Sequence, residues 1–268
     1  MLKLILTDMD GTLLDQNGAL NTTAFKPLLK KMKANNVTFA TVTGKQVQRV
    51  EELFGEMAKD IWIVGDSASR IQHGDEMVYA FTISNKEGKK LIAELLKANQ
   101  DQAIVPCTPK STYALNNYSP KQKELIRDSY AALTFVDSFS EIKGDFLKIT
   151  SLDLNEHAQE TYAKLDHLSK DHFIVAPDNV WIDITASDVH KGTTVAKLQS
   201  ILGVTKAETV AFGDGYNDLE LFDSAKTSYA MENAILALKE KATHIAPSNE
   251  EYGVFQVIEK LLVDKCLV

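Results

Sequence analysis

The sequence is poor in cysteine and has no long hydrophobic run. Its 268 residues include two cysteines, Cys107 and Cys266, which lie far apart and without histidines at metal-ligand spacing. This pattern excludes a disulfide framework and a thiolate metal site. The apolar residues 1–6 meet two aspartates too early for a signal peptide or a membrane span. We therefore expect a reducing, cytoplasmic setting and no membrane partner.

Excess positive charge and the common nucleotide-binding glycine motifs are also missing. The chain has 29 Lys and Arg against 37 Asp and Glu, a formal net charge of -8. A nucleic-acid partner is disfavoured because it requires clustered Lys and Arg. The absence of Gly-x-Gly-x-x-Gly and of Gly-x-x-x-x-Gly-Lys argues against a dinucleotide-dependent dehydrogenase and a P-loop kinase. We expect a monomer or small homo-oligomer that binds a small molecule.

Strand-like and helix-like segments alternate at both ends of the chain. The strand-like segments are residues 3–7, 37–42, 61–64, 209–212 and 227–230. The helix-like segments are residues 22–36, 46–58, 191–202, 217–224 and 251–262. Such βαβ spacing predicts an α/β fold with a Rossmann-like parallel sheet and right-handed crossovers. In such a sheet, ligand-binding groups gather at the carboxyl ends of the strands.

The middle of the chain has a different pattern. Helix-like segments at residues 86–99, 120–133 and 154–169 are interleaved with several short strand-like runs. This mixture predicts an α+β cap domain, residues 82–187, inserted into the α/β core. The core domain would then be discontinuous and consist of residues 1–81 and 188–268. Residues 76–82 are the candidate hinge into the insert.

The first chemical motif is Asp8-Met9-Asp10-Gly11-Thr12, directly after the first predicted strand. A carboxylate in this place can attack phosphorus if a divalent cation shields it from the anionic phosphate. We predict Asp8 as the nucleophile. Asp10, two residues further on, is the predicted acid/base that protonates the leaving oxygen and then activates water. The alternative is a polar turn or helix cap without catalytic role.

The second motif is Gly213-Asp214-Gly215-Tyr216-Asn217-Asp218, between a predicted strand and a predicted helix. Mg²⁺ prefers oxygen ligands and keeps several waters, so we predict Asp8, Asp214 and the Asp10 carbonyl as its ligands. Asn217 would hold the phosphate or orient Asp8. Asp218 would bind the metal through water, or it caps the following helix. The ligand spacing and closing Glu of an EF-hand are missing, which argues against calcium storage.

Two weaker signals complete the candidate site. Thr43 and Gly44 follow the second predicted strand and open a helix, where a hydroxyl and free backbone N–H groups can hold phosphate. The alternative is a threonine N-cap followed by a turn glycine. Lys191 opens the helix after the insert and would offset the charge of the phosphoryl oxygens and Asp8. The alternative is an ordinary surface lysine.

These motifs resemble those of the haloacid dehalogenase superfamily, specifically its Cof-type phosphatases (subclass IIB, with a C2 cap). The residues that match the family motifs are Asp8, Asp10, Thr43, Lys191, Asp214, Asn217 and Asp218. The resemblance implies Mg²⁺ as cofactor and hydrolysis of small phosphorylated metabolites, often sugar phosphates, through an aspartyl-phosphate. Two departures from the family pattern are Lys45 where Arg is usual, and Asp66-Ser67-Ala68 where Asn-Gly-Ala is common.

Two alternatives to a phosphatase share most of these features. A phosphomutase of the same superfamily would carry identical core motifs and return the phosphate to a sugar. A non-catalytic module that binds a phosphorylated ligand would belong to a different functional class. Because Asp8, Asp10, Lys191 and Asp214 are all present, nothing in the sequence favours the loss of catalysis.

Overall fold

The structure is a computed structural model that describes residues 1–187 and 189–263. The predicted domain boundary at residue 188 and the end of the predicted core segment, residues 264–268, lie outside the described residues. The chain divides into two compact units. The core unit comprises Met1–Gly44, Val50–Val78 and His190–Val268, and the inserted unit comprises Lys45–Arg49 and Tyr79–Val189. That the two units are separate domains bounded at residues 82 and 187 stays a prediction.

Strands and helices alternate along most of the chain. The strands are β1 (Leu4–Thr7), β2 (Thr38–Val42), β3 (Trp62–Gly65), β4 (Arg70–His73), β5 (Glu76–Ala80), β6 (Ala103–Cys107), β7 (Thr112–Leu115), β8 (Leu133–Val136), β9 (Lys148–Leu152), β10 (His172–Val175), β11 (Trp181–Ala186), β12 (Thr209–Gly213), β13 (Thr227–Met231) and β14 (His244–Ala246). The helices are α1 (Thr22–Ala34), α2 (Val47–Phe54), α3 (Asn85–Ala98), α4 (Pro120–Ser129), α5 (Ala158–Lys164), α6 (Lys191–Leu202), α7 (Leu219–Asp223), α8 (Leu236–Lys241) and α9 (Gly253–Val263). The predicted α/β fold class is confirmed.

The core unit contains a sheet with the strand order β14-β13-β12-β1-β2-β3-β4-β5. The pairs from β14 to β3 are parallel, as the sequence pattern predicts. At the end of the sheet β3 also pairs antiparallel with β4, a strand that the sequence pattern does not predict. The connection of residues 66–69 is too short for the crossover that parallel strands require. The predicted hinge also overlaps β5, an edge strand of this sheet.

Aromatic residues fill the layer beside β2. Phe25 of α1 contacts Phe39 of β2 with ring centroids 4.9 Å apart, and Phe54 of α2 with centroids 5.4 Å apart. All three side chains are almost fully buried. Burial of one phenylalanine contributes on the order of 2–3 kcal/mol. This packing fixes α1 against the strand that ends at the Thr43–Gly44 loop.

The inserted unit contains a six-stranded sheet with the order β10-β11-β9-β6-β7-β8. Within the described residues, its strand pairs are antiparallel except for β7 with β8. One apolar cluster includes Leu91 and Leu95 of α3 together with Phe146 and Ile149. A second cluster includes Ile126 of α4. The unit is therefore an α+β fold with its own hydrophobic packing.

Two predicted helices of the inserted unit are shorter than the sequence pattern indicates. The helix predicted at residues 120–133 ends at Ser129, because the β-rich run that follows forms β8. The helix predicted at residues 154–169 begins only at Ala158. Glu156 has a φ of 62°, a left-handed conformation that a right-handed helix cannot include. No helix in the described part of the chain is long and apolar enough to cross a membrane.

Candidate active site

Three neighbouring strands of the core unit end side by side. β1 pairs in parallel with β12 on one side and with β2 on the other. Asp8 directly follows β1, Asp214 directly follows β12, and Thr43 directly follows β2. Neighbouring strands lie about 4.8 Å apart, so these side chains start from adjacent positions. The parallel sheet therefore brings together residues that are more than 200 positions apart in the chain.

Lys191 is buried between two carboxylates. Its Nζ donates to Oδ1 of Asp8 at 2.5 Å and to Oδ1 of Asp218 at 2.6 Å. The side chain of Lys191 is 6% exposed, and those of Asp8 and Asp218 are 9% and 0% exposed. An isolated buried charge costs several kcal/mol, so each of these groups depends on its partners. The alternative of an ordinary surface lysine is wrong.

Asp218 joins Lys191 to the loop that follows β12. Its Oδ1 accepts from Lys191, while its Oδ2 accepts from the backbone N–H groups of Asp214 and Gly215 at 2.9 and 3.0 Å. The Asp218 side chain does not cap α7, although the residue stands at the N-cap position. Asp218 thus fixes both Lys191 and the backbone of Asp214.

Gly11 and Thr12 bring the loop after β1 against Asp214. The Thr12 hydroxyl donates to Oδ1 of Asp214 at 2.7 Å. Gly11 has a φ of 72°, and a Cβ added there would overlap Oδ2 of Asp214 and lie 2.8 Å from its Cγ. Only glycine permits both the left-handed backbone and this close approach. The two aspartate motifs are therefore packed directly on each other.

Burial has the largest effect on the pKa values of Asp8 and Asp214. It raises the pKa of Asp8 to about 8, against the lowering effect of the Lys191 ammonium and with a further increase from the Asp218 carboxylate. Burial also raises the pKa of Asp214 to about 6, and the hydrogen bond from Thr12 opposes this increase. For Lys191, burial lowers the pKa, but the neighbouring carboxylates outweigh it and the pKa lies above its usual value. Three acidic groups share one ammonium.

The donor set fits a hard divalent cation. Asp8, Asp214 and Asp218 each offer one carboxylate oxygen, and these oxygens all lie within 4.8 Å of one another. The ligand atoms are oxygens without histidine nitrogen or cysteine sulfur, which is the preference of Mg²⁺ rather than of Zn²⁺. When all groups are ionised, three carboxylates beside one ammonium leave excess negative charge that a cation would offset.

The other predicted site residues also belong to the core unit; three of them are exposed and Thr43 is buried. Asp10 and Asn217 are exposed, and Asn217 belongs to a single turn of 3-10 helix, Tyr216–Asp218. Thr43 is 1% exposed and its backbone N–H donates to the Val64 carbonyl at 2.9 Å. It lies four residues before α2 and is therefore not the N-cap of that helix. Gly44 is exposed.

The turn after β3 lies beside Gly44. Asp66, Ser67 and Ala68 have φ values of 54°, 56° and 63°, an uncommon run of left-handed residues without glycine. The Ser67 N–H donates to the Gly44 carbonyl at 3.3 Å, and the Thr194 hydroxyl donates to the Ala68 carbonyl at 2.7 Å. The turn therefore connects the Thr43–Gly44 loop with α6, the helix that begins at Lys191.

Three residues near the site have no counterpart in the sequence-based prediction. Thr12 contacts Asp214 as described, while Asn233 and Asn249 donate to carbonyls of the loop after β1. Thr12 lies inside the quoted first motif, so its position was visible. The two asparagines follow strands β13 and β14 in short polar segments, where a single sequence does not distinguish them from turn formers.

Known proteins with similar sequences and folds are hydrolases. A model of the haloacid dehalogenase-like hydrolases matches residues 5–258. The 5-amino-6-(5-phospho-D-ribitylamino)uracil phosphatase YbjI of Escherichia coli (strain K12) is 31% identical over 263 residues, 97% of this chain and 96% of the relative. YwtE of Bacillus subtilis (strain 168), a phosphatase with the same substrate in its name, is 24% identical over 286 residues, 97% of this chain and 98% of the relative. SMU.1108c from Streptococcus mutans UA159 has a crystal structure that superposes with a TM-score of 0.89 at 28% identity, covering 98% of this chain and 100% of that chain.

The chain belongs to the haloacid dehalogenase-like hydrolase family. It is an enzyme of the phosphatase class within that family, and the Cof-type resemblance of its motifs is confirmed.

Proposed function

We propose that this protein is a Mg²⁺-dependent phosphatase that hydrolyses small phosphorylated metabolites through an aspartyl-phosphate on Asp8. The observation that carries the proposal is the position of the Asp8 carboxylate. It lies at the end of β1, 2.5 Å from the buried Lys191 ammonium and within 4.8 Å of the other two carboxylates. A carboxylate so placed can reach a phosphorus atom while an adjacent cation offsets the repulsion.

A magnesium ion would be held by Asp8, Asp214 and the backbone carbonyl of Asp10. Asp218 would act beside the ion, because both of its oxygens already accept hydrogen bonds within the protein. When bound, the ion supplies positive charge against the phosphoryl oxygens and the developing negative charge of the reaction. Lys191 adds a second, permanent positive charge at Asp8.

The protein's own residues divide the reaction into two displacements at phosphorus. In the first, an oxygen of Asp8 forms the bond to phosphorus, the bond to the leaving oxygen breaks, and Asp10 gives its proton to that oxygen. In the second, Asp10 accepts a proton from water, the water oxygen bonds to phosphorus, and the bond to Asp8 breaks. Thr43, Gly44 and Asn217 would hold the phosphoryl oxygens throughout.

Relatives that cover nearly the whole chain support a narrower substrate class. YbjI and YwtE are both named for 5-amino-6-(5-phospho-D-ribitylamino)uracil, a phosphate ester on a sugar-alcohol chain. We propose phosphate monoesters of sugars or sugar alcohols as the substrate class and this compound as its first candidate. The chemistry of the site supports any such ester, since Asp8 reacts with the phosphoryl group and not with the carbon skeleton.

The first experiment measures hydrolysis of p-nitrophenyl phosphate with Mg²⁺ or EDTA. We compare the wild type, Asp8→Asn and the matched control Asp15→Asn. Asp15 accepts hydrogen bonds from Asn17 and Ala19 in a turn, a role that asparagine retains. We expect turnover of the wild type and the control with Mg²⁺ and no turnover of Asp8→Asn. Equal activity of Asp8→Asn and the wild type would refute Asp8 as the nucleophile.

A panel of phosphorylated sugars and sugar alcohols then separates the phosphatase from a phosphomutase. For each compound the measurement is free phosphate together with isomerised sugar phosphate. We expect one free phosphate for each molecule of substrate consumed. Isomerised product with little free phosphate would show a mutase instead.

A further inference from the structure

Two asparagine side chains hold the loop that follows β1. The Asn233 amide Nδ2 donates to the Gly11 carbonyl at 2.7 Å, and the Asn249 amide Nδ2 donates to the Leu14 carbonyl at 2.9 Å. The two asparagines are also joined, because the Asn249 backbone N–H donates to Oδ1 of Asn233 at 3.1 Å. All four residues belong to the core unit. The pair forms one connected support.

The two asparagines lie in loops that follow strands not adjacent to β1. Asn233 lies two residues after β13, and Asn249 lies three residues after β14. In the sheet, β12 separates both strands from β1. The loop is also held by the hydrogen bond from Thr12 to Asp214, which follows β12 on the same side of β1. The loop is therefore fixed by three hydrogen bonds, each between residues more than 200 positions apart.

Asp10 belongs to the backbone segment that the two asparagines support. Asp8 is held by burial and by Lys191, whereas Asp10 is exposed. Gly11, the next residue, has the flexible backbone of glycine, and its carbonyl is the acceptor for Asn233. A general acid must stand within hydrogen-bond reach of the leaving oxygen. The two amides therefore hold the backbone segment that carries Asp10.

We propose that Asn233 and Asn249 are positioning residues that place Asp10 for proton transfer to the leaving group. This inference rests on the proposed function, and it makes a prediction that a purely structural role does not. A p-nitrophenolate leaves without needing a proton, whereas an alkyl oxygen must be protonated as it leaves. Misplacement of Asp10 should therefore impair alkyl phosphates more than p-nitrophenyl phosphate.

The experiment compares Asn233→Ala with Asn35→Ala as a matched control. The Asn35 side chain makes the same type of bond, from its amide to the Lys31 carbonyl at 2.9 Å, at the end of α1. We measure kcat and KM for p-nitrophenyl phosphate and for ribitol 5-phosphate. For Asn233→Ala we expect the kcat loss on ribitol 5-phosphate to exceed that on p-nitrophenyl phosphate by about tenfold or more, with KM little changed. Asn35→Ala should leave both values of kcat unchanged.

A double-mutant cycle with Asp10→Asn tests the route of the effect. If Asn233 acts through Asp10, then Asn233→Ala should add no leaving-group-dependent loss of kcat in the Asp10→Asn background, where residue 10 has no proton to donate. Equal losses on the two esters for Asn233→Ala, or undiminished selectivity in the Asp10→Asn background, would overturn the inference.

Hydrogen–deuterium exchange provides a readout that does not depend on turnover. Asn233→Ala should accelerate amide exchange at residues 9–14, while Asn35→Ala should not. Unchanged exchange in this loop would overturn the inference even if activity fell. A wild type inactive on both esters would instead refute the proposed function, and the exchange experiment would still test the support of the loop. The two failures are therefore distinguishable.

Discussion

Replacing Gly11 by alanine tests the close packing of the two aspartate motifs, and Gly18 provides its control. The two glycines have almost the same backbone, with φ values of 72° and 71°. An alanine Cβ in this left-handed region costs about 1–2 kcal/mol at either position. At Gly18 the added Cβ meets no atom within 4 Å, whereas at Gly11 it overlaps the Asp214 carboxylate. The difference in activity between Gly11→Ala and Gly18→Ala therefore reports the steric overlap with the Asp214 carboxylate.

The expected size of the effect follows from the contact at Asp214. The Cβ at Gly11 would stand 2.8 Å from Cγ of Asp214, while ordinary Cβ contacts begin at 3.4 Å. The carboxylate must retreat by roughly half an ångström or more, since packed atoms do not interpenetrate. Misplacement of a catalytic group by about 1 Å can reduce the rate about 100-fold. We therefore expect kcat/KM to fall about 100-fold in Gly11→Ala, or about 2.7 kcal/mol.

The assay is p-nitrophenyl phosphate hydrolysis over a Mg²⁺ titration, with urea unfolding of each variant measured alongside. Gly18→Ala should keep near-wild-type activity and lose about 1–2 kcal/mol of stability. Gly11→Ala should lose activity and require more Mg²⁺ for half-maximal rate. Equal kcat/KM for the two alanine variants would refute the packing of Gly11 on Asp214 as a requirement for catalysis.

Three further predictions concern other parts of the molecule. Lys191→Met should lower the free energy of unfolding by about 3 kcal/mol in urea at pH 7 without metal, because it leaves buried carboxylates without their ammonium; a loss below about 1 kcal/mol would contradict this. Phe146→Ala should cost about 3–5 kcal/mol in the same assay, because this fully buried ring belongs to the apolar cluster of the inserted unit; unaltered stability would show that the cluster is not a core. The hydrogen bond from Lys3 holds the pKa of Glu208 at about 2, below its ordinary 4.5. The stabilising effect of the pair is therefore present above pH 4.5 and is lost as the pH falls towards 2. Lys3→Met should lower the Tm at pH 7 and have little effect on it near pH 2. A Tm difference between variant and wild type that does not depend on pH would contradict this.

The sequence was sufficient to predict the parallel sheet and the residues at its strand ends. Asp8 and Asp214 could be predicted as site residues because each directly follows a short β-branched or aliphatic run that precedes a turn and a helix. A parallel sheet then places such residues at one edge without any knowledge of side-chain contacts. The short strands β4, β5 and β14 were not predicted, since three to five residues carry too little periodicity to separate a strand from a loop.

The supporting contacts of the site could not be predicted in the same way. Thr12 and Asp214 are 202 positions apart, and Asn233 and Gly11 are 222 positions apart. Such pairs depend on the spatial order of the strands, which a single sequence does not contain. Asp218 illustrates the limit: metal ligation and helix capping were the two alternatives, whereas the structure shows a carboxylate that holds Lys191 and two backbone N–H groups.

The most direct test of the catalytic account is detection of the phosphoryl group on Asp8. The enzyme is mixed with p-nitrophenyl phosphate and Mg²⁺, quenched in acid within milliseconds, digested with pepsin, and analysed by mass spectrometry. Acyl phosphates survive acid but are cleaved by hydroxylamine, which serves as a chemical control. We expect a hydroxylamine-sensitive phosphate on Asp8, absent from Asp8→Asn and from samples with EDTA. Product formation without any phosphorylated Asp8, or with the phosphate on another residue, would contradict it.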